Sequence, residues 1–135
     1  EIQQTSDITY RVFDFNRRDK NGNLRELHTE LALDAIDYTK KDDFKVKYSD
    51  KKDSVNNMVS CPYFNTNILE LTKDLELDVE KRDSFTIYMC VGGKATISNE
   101  FGSVSIKKGE TTLVPAQSKK INIITTSAKL LEVTI

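Results

Sequence analysis

The sequence predicts an all-β fold, a β-sandwich, jelly roll or barrel with one short helix, on three observations. Val, Ile and Thr number 9, 11 and 13, so 33 of 135 residues are β-branched, against only 5 Ala. Such side chains are stiff in helices and pack well on a pleated surface. From Tyr63 onward, short apolar segments recur at a spacing of about 8–12 residues, separated by turn residues, as in sandwiches and barrels. The length suits one ordinary domain with a single core, and no internal repeat or low-complexity tract breaks it up.

Taken in order, Thr9 to Phe15 reads as a strand, with Arg11, Phe13 and Phe15 on one face and Tyr10, Val12 and Asp14 on the other. Asn16 to Asn23 is a polar loop in which Asn21-Gly22 marks a turn. Leu27, Leu31, Ala32, Ala35 and Ile36 fall at helical spacing, which predicts an amphipathic helix over residues 26–38. Lys40 to Asp53 carries six Lys and four Asp around a Phe44/Val46/Tyr48 alternation, the pattern of a solvated edge strand between loops. Strands are then predicted over Tyr63–Leu71, Leu75–Val79, Phe85–Val91, Lys94–Ser98, Ser103–Ile106, Thr111–Val114, Ile121–Thr125 and Leu130–Ile135. Gly92-Gly93 is read as the hairpin turn between two of them.

Charge and composition narrow the function. Lys+Arg number 20 and Asp+Glu 21, a formal net charge of −1, which argues against a nucleic-acid binder that works through a basic field. No apolar stretch approaches the roughly 20 residues of a membrane-spanning helix, and Glu1 to Gln4 do not open a signal peptide. A cytoplasmic protein without membrane or nucleic-acid partners is expected. Cys61 and Cys90 are too few and too far apart for a disulfide framework or a metal knuckle, so both are expected reduced and buried. With neither an initiator Met nor an opening turn, the chain reads as a piece of something longer.

The inventory of chemical groups is thin. His28 is the single histidine, which excludes a His-rich metal site and leaves no Ser–His–Asp arrangement to argue for; a structural contact at the helix start is the expected role. Phosphate-cradling glycine loops are absent. Asp7 and Asp14 could orient Arg11 or cap turns, and Arg17, Arg18 and Arg25 could meet a phosphate or simply be solvated.

Two stretches carry resemblances. Gly109-Glu110-Thr111-Thr112-Leu113-Val114-Pro115, a Gly turn, a short strand and a terminating Pro, resembles the second half-motif of the cupin jelly roll. Ala116 to Lys119 stand where metal-binding cupins continue with Gly and His. The earlier half-motif, with its paired His and a Glu, has no counterpart around Phe85 to Ile97. Gln3-Gln4-Thr5-Ser6-Asp7-Ile8-Thr9-Tyr10-Arg11-Val12-Phe13-Asp14-Phe15, then Asn21-Gly22-Asn23 and Arg25-Glu26-Leu27-His28, closely resembles the short bacterial type I mannose-6-phosphate isomerases. The similarity runs through Leu31 to Tyr38 and more loosely to Ile135. Ile8 stands where longer members carry Asn, and Val12-Phe13 where they carry Ala-Gly.

The resemblance implies a zinc enzyme of cupin architecture that interconverts mannose 6-phosphate and fructose 6-phosphate. It implies that this chain is the C-terminal part, with residues 1–38 completing the catalytic cupin and residues 39–135 forming a small metal-free jelly roll. Arg11 matches the family's catalytic arginine, with a role at the enediolate or the phosphate. The zinc ligands and the general base would lie in an N-terminal catalytic part outside this chain, leaving the chain inactive alone and without a metal of its own. The alternative is a non-catalytic jelly-roll module that binds a sugar or mediates oligomerisation, with the Arg11 segment merely inherited.

Overall fold

In the computed structural model, residues 2, 3 and 8–135 are described. The chain forms two compact units, Glu1–Phe44 and Lys45–Ile135.

The first unit is mostly irregular. Residues 9–15, predicted as a strand, join no strand ladder. Phe15 and Asn16 take positive φ (51° and 54°) and turn the chain back, so Arg17 N–H donates to the Asp14 carbonyl at 2.9 Å. Alternation alone cannot make a strand without a neighbouring strand to satisfy its backbone groups. The Asn21-Gly22 turn does form. Asp19 Oδ1 accepts the N–H groups of Asn21 and Asn23, Gly22 sits at φ 83°, and Arg18 and Leu24 form an antiparallel bridge across it. The helix, α1 (Thr29–Ala35), is shorter than its apolar periodicity suggests. Only Ala32 is buried along it, and Ile36 already has extended backbone. An isolated apolar stripe with little to bury against cannot extend a helix of marginal length. The Phe44/Val46/Tyr48 segment, which spans the end of this unit and the start of the next, is not in a strand, and all three side chains are exposed.

The second unit holds seven antiparallel strands: β1 (Val55–Ser60), β2 (Asn65–Leu71), β3 (Leu75–Asp78), β4 (Thr86–Asn99), β5 (Gly102–Lys107), β6 (Thr111–Val114) and β7 (Lys120–Thr134). They run in the order β1-β2-β7-β4-β5, with β3 on β7 and β6 on β4. The all-β jelly-roll expectation holds here. The two long strands organise the sheet: β7 meets β3 through its first residues and β2 through its last, while β4 meets β6 and then β5. The core between them includes Leu69, Leu71, Tyr88, Ile97, Ile121, Ile123 and Leu130, each at most 2% exposed.

Two predicted breaks in this unit are not breaks. Gly92-Gly93 is no hairpin: β4 runs through it, with a register shift against β7 between Cys90 and Gly92. Gly93 has φ 68°, and a Cβ there would lie 2.2 Å from the Ser127 carbonyl oxygen. A glycine pair serves a bulge with close backbone approach as readily as a turn, and the sequence does not tell them apart. Likewise the segments predicted as Ile121–Thr125 and Leu130–Ile135 are joined in the single strand β7, which ends at Thr134. At its register shift against β4, between Lys94 and Thr96, Thr125 Oγ1 donates to the Lys94 carbonyl at 2.7 Å and Thr125 N–H to Asp74 at 2.8 Å, which occupies backbone groups the ladder releases. Cys90 is buried as expected, but Cys61 is only half-buried, and both are free.

Candidate functional site

Arg11 is fixed through its backbone. Its N–H donates to Nδ1 of His28 at 3.0 Å, and His28 N–H returns a bond to the Arg11 carbonyl at 2.7 Å. His28 occupies the N-cap of α1 but its side chain caps nothing in the helix; it is spent on Arg11. A nitrogen that accepts a backbone N–H carries no proton, so the ring proton belongs on Nε2. The expected structural role of His28 is therefore a specific one: it pins residue 11 to the start of the helix.

The Arg11 side chain then reaches the Glu26 carbonyl through Nη1 at 2.9 Å. Among the described residues it has no ion-pair partner. The apolar setting expected from a shared strand face with Phe13 and Phe15 does not exist. Those rings pack edge-to-face on each other, centroids 4.9 Å apart, and remain 63% and 78% exposed.

Asp14 makes no hydrogen bond or ion pair to Arg11; of its two expected roles it takes the turn, tying across Phe15-Asn16 to Arg17. It is 7% exposed and its Oδ1 accepts two bonds from Arg17, Nε at 3.0 Å and Nη2 at 2.5 Å, while Arg25 Nε lies 3.4 Å from Oδ2. Oδ2 is buried and receives no hydrogen bond. The hydrogen bond from Arg17 holds the Asp14 carboxyl below its ordinary range, reinforced by the charges of Arg17, Arg25 and Arg11 and opposed by desolvation. Two guanidiniums, Arg17 and Arg25, thus pair with one carboxylate, and Arg11 adds its charge without reaching ion-pair distance, which leaves local positive charge available to an anion. Of the other candidates, Arg18 is used locally on the Gly22 carbonyl at 2.6 Å. Asp7 lies outside the described residues.

The second unit contains a polar cluster that the sequence reading missed. Glu132, fully buried on β7, accepts Tyr88 Oη at 2.7 Å and Arg82 Nη1 at 2.8 Å on Oε1, and Asn67 Nδ2 at 2.7 Å on Oε2. Asn57 donates in turn to Asn67 Oδ1 at 3.0 Å. Burial, and then the adjacent carboxylate charge, push the Tyr88 hydroxyl well above its usual range, so it stays a donor. The available signal was alternation: Leu130, Glu132 and Thr134 share the inward face of β7, and a carboxylate at such a position requires buried partners. Both of its oxygens accept hydrogen bonds from within the fold, which makes this cluster a structural one. No group of three His, Cys, Asp or Glu side chains suited to a metal ion occurs among the described residues.

Comparison with known proteins locates this geometry. Residues 54–134 match the family model described as mannose-6-phosphate isomerase, cupin domain. The chain is 31% identical to a putative mannose-6-phosphate isomerase, YvyI, of Bacillus subtilis over 91% of its own length and 39% of that protein. It is 29% identical to the Bacillus subtilis mannose-6-phosphate isomerase ManA, over 85% and 36%. The crystal structure of mannose 6-phosphate isomerase from Bacillus subtilis superposes with a TM-score of 0.71 at 28% identity, over 96% of this chain and 41% of that one. A cupin-2 domain protein from Shewanella frigidimarina shares the fold at a TM-score of 0.52 and 9% identity. The chain therefore spans about two fifths of the length of the curated relatives it matches.

Proposed function

The chain belongs to the mannose-6-phosphate isomerase cupin family, and on that premise we propose that it is the C-terminal part of a cytoplasmic aldose–ketose isomerase acting on mannose 6-phosphate and fructose 6-phosphate. In this reading residues 1–38 complete the catalytic cupin and residues 39–135 form an accessory jelly roll without a metal. The zinc implied by the resemblance is held by side chains that this chain does not supply, as is the general base.

The observation that carries the reading within this chain is Arg11. Its backbone is clamped by His28 and its guanidinium rests on a neutral carbonyl, with no carboxylate partner among the described residues. An arginine serving sheet stability would be ion-paired; this one keeps its charge for a ligand. Transfer of a proton between C1 and C2 of the open-chain sugar passes through an enediolate whose oxygens become negative. A fixed cation stabilises charge that appears only at that point, which is how an interaction raises turnover instead of merely tightening binding.

The test is Arg11→Ala in the full-length enzyme. Loss of one such charge-stabilising donor lowers kcat about 10²–10³-fold. A role at the enediolate lowers kcat with KM nearly unchanged. A raised KM with kcat retained would instead put Arg11 on the phosphate. Wild-type kcat and KM together in the variant would end the assignment. The 135-residue chain alone is expected to show negligible isomerase activity and to bind no stoichiometric zinc.

A further inference from the structure

A hollow in the second unit lies well away in sequence from Arg11, and the isomerase reading makes no use of it. It is an open groove of about 690 Å³ lined by the end of β3, the start of β7, the β4–β5 turn and the β6–β7 loop. Phe101 stands in its wall with 65% of its surface exposed. An exposed aromatic on a loose loop would mean little, but this one is held. Asn99 Oδ1 accepts the N–H groups of Phe101 (2.9 Å) and Gly102 (3.1 Å), and Asn99 Nδ2 donates to the buried Ser118 Oγ at 2.9 Å. Glu100 accepts Lys119 N–H at 2.8 Å. Two loops are thereby tied together by side chains, and the ring is presented ready-made.

The polar groups around the ring divide into engaged and unengaged. Lys119 pairs with Glu80 at 3.2 Å and Lys120 with Glu76 at 3.1 Å. The side-chain amides of Gln117 and Asn122, both on the groove, make no hydrogen bond to any described residue. An amide donates and accepts, as a sugar hydroxyl does. The lining carries three carboxylates (Asp78, Glu80 and Glu100) against two ammonium groups already paired. That balance disfavours a phosphate dianion.

We propose that this groove is a binding site for a neutral hexose, its apolar face stacked on Phe101 and its hydroxyls on Gln117 and Asn122. A pre-formed concavity with one apolar platform and a few convergent polar groups is the general form of a small-molecule site. Pre-ordered loops lower the entropy cost of binding. The proposal does not rest on the isomerase reading, which is argued from Arg11 and uses none of these residues.

The experiment is a titration of the isotopically labelled 135-residue chain with D-mannose to about 100 mM, following the amides of residues 99–102 and 117–122 by NMR, for an affinity in the range of about 1–10 mM. Saturable shifts confined to these residues are expected, weakened at least tenfold by Phe101→Ala and by the double variant Gln117→Ala/Asn122→Ala. Mannose 6-phosphate should bind there more weakly than mannose. Unsaturable shifts, shifts elsewhere, or binding unchanged in both variants would overturn the proposal. Tighter binding of mannose 6-phosphate would overturn its neutral-ligand assignment. Unperturbed resonances of Leu69 and Leu130 in each variant show that the core is intact.

Discussion

Asp14 and Glu132 are both buried carboxylates that meet arginine, yet they are built in opposite ways. Glu132 is served by Tyr88, Arg82 and Asn67, which come from points 44, 50 and 65 residues away and converge across the sheet. Asp14 is served by Arg17 three residues on, with Arg25 nearby, and keeps one oxygen without a hydrogen bond. Arg17 and Arg25 are 62% and 41% exposed, whereas Arg82 is 28% exposed. A carboxylate bonded on both oxygens by distant donors holds a fold together. One surrounded by more local cations than it can neutralise leaves charge over for something else.

The contrast can be broken by removing each carboxylate. Glu132→Ala leaves the buried Tyr88 hydroxyl and the half-buried Arg82 guanidinium without their acceptor, and urea unfolding should show a loss of about 3 kcal/mol. Little loss would mean that the cluster is ornamental and that the two sites are alike. Next in size is Gly93→Ala, where a methyl meets the Ser127 carbonyl and the backbone has φ 68°; a destabilisation of about 1–3 kcal/mol is expected from strain and overpacking together. Gly22→Ala in the first unit supplies the control. Its φ is 83° but nothing lies within 4 Å of the added carbon, so only the conformational cost of about 1 kcal/mol remains, read as loss of order in the Asp19 turn.

The smallest effect is a pH dependence. Because Arg17 holds Asp14 below its ordinary value of 3.8, the ionised carboxylate contributes stability above the unfolded value. That contribution fades as the pH falls through the lower folded value. Resonances of Phe13 and Phe15 should therefore shift only in acid, below about pH 4. Asp14→Asn should remove the transition. A transition near neutral pH would show that some other group controls this loop.

Much of the second unit was legible in the sequence because its strands are long, alternating and bounded by turn residues. Thr111–Val114 was read to the residue, since Gly109 and Pro115 bracket it. Elsewhere the same signals misled. Glycines that permit a bulge look like glycines that permit a turn, so β4 was divided at Gly92-Gly93. β1 was missed because Asn56 and Asn57 favour turns in isolation. In the folded chain Asn56 Nδ2 donates to the Lys51 carbonyl at 2.8 Å and Asn57 bonds Asn67 across the strands. The Arg11 segment was identified by its residue order, not by its shape. Its strand-like alternation suggested a paired conformation, whereas the decisive contact, Arg11 with His28, is 17 residues away in sequence and leaves no periodic trace.

The position of β7 has a consequence for how the chain acquires its structure. In the strand order β1-β2-β7-β4-β5, the ladder between the early pair and the β4 group passes through β7 alone, and Leu71 pairs with Ala128 while Asn65 pairs with Thr134. Until those residues emerge from the ribosome, the growing polypeptide holds two partial sheets with no ladder between them. Closure over such sequence separations is slow, and the waiting edges of β2 and β4 are the surfaces on which a chaperone, or a neighbouring nascent chain, would first act.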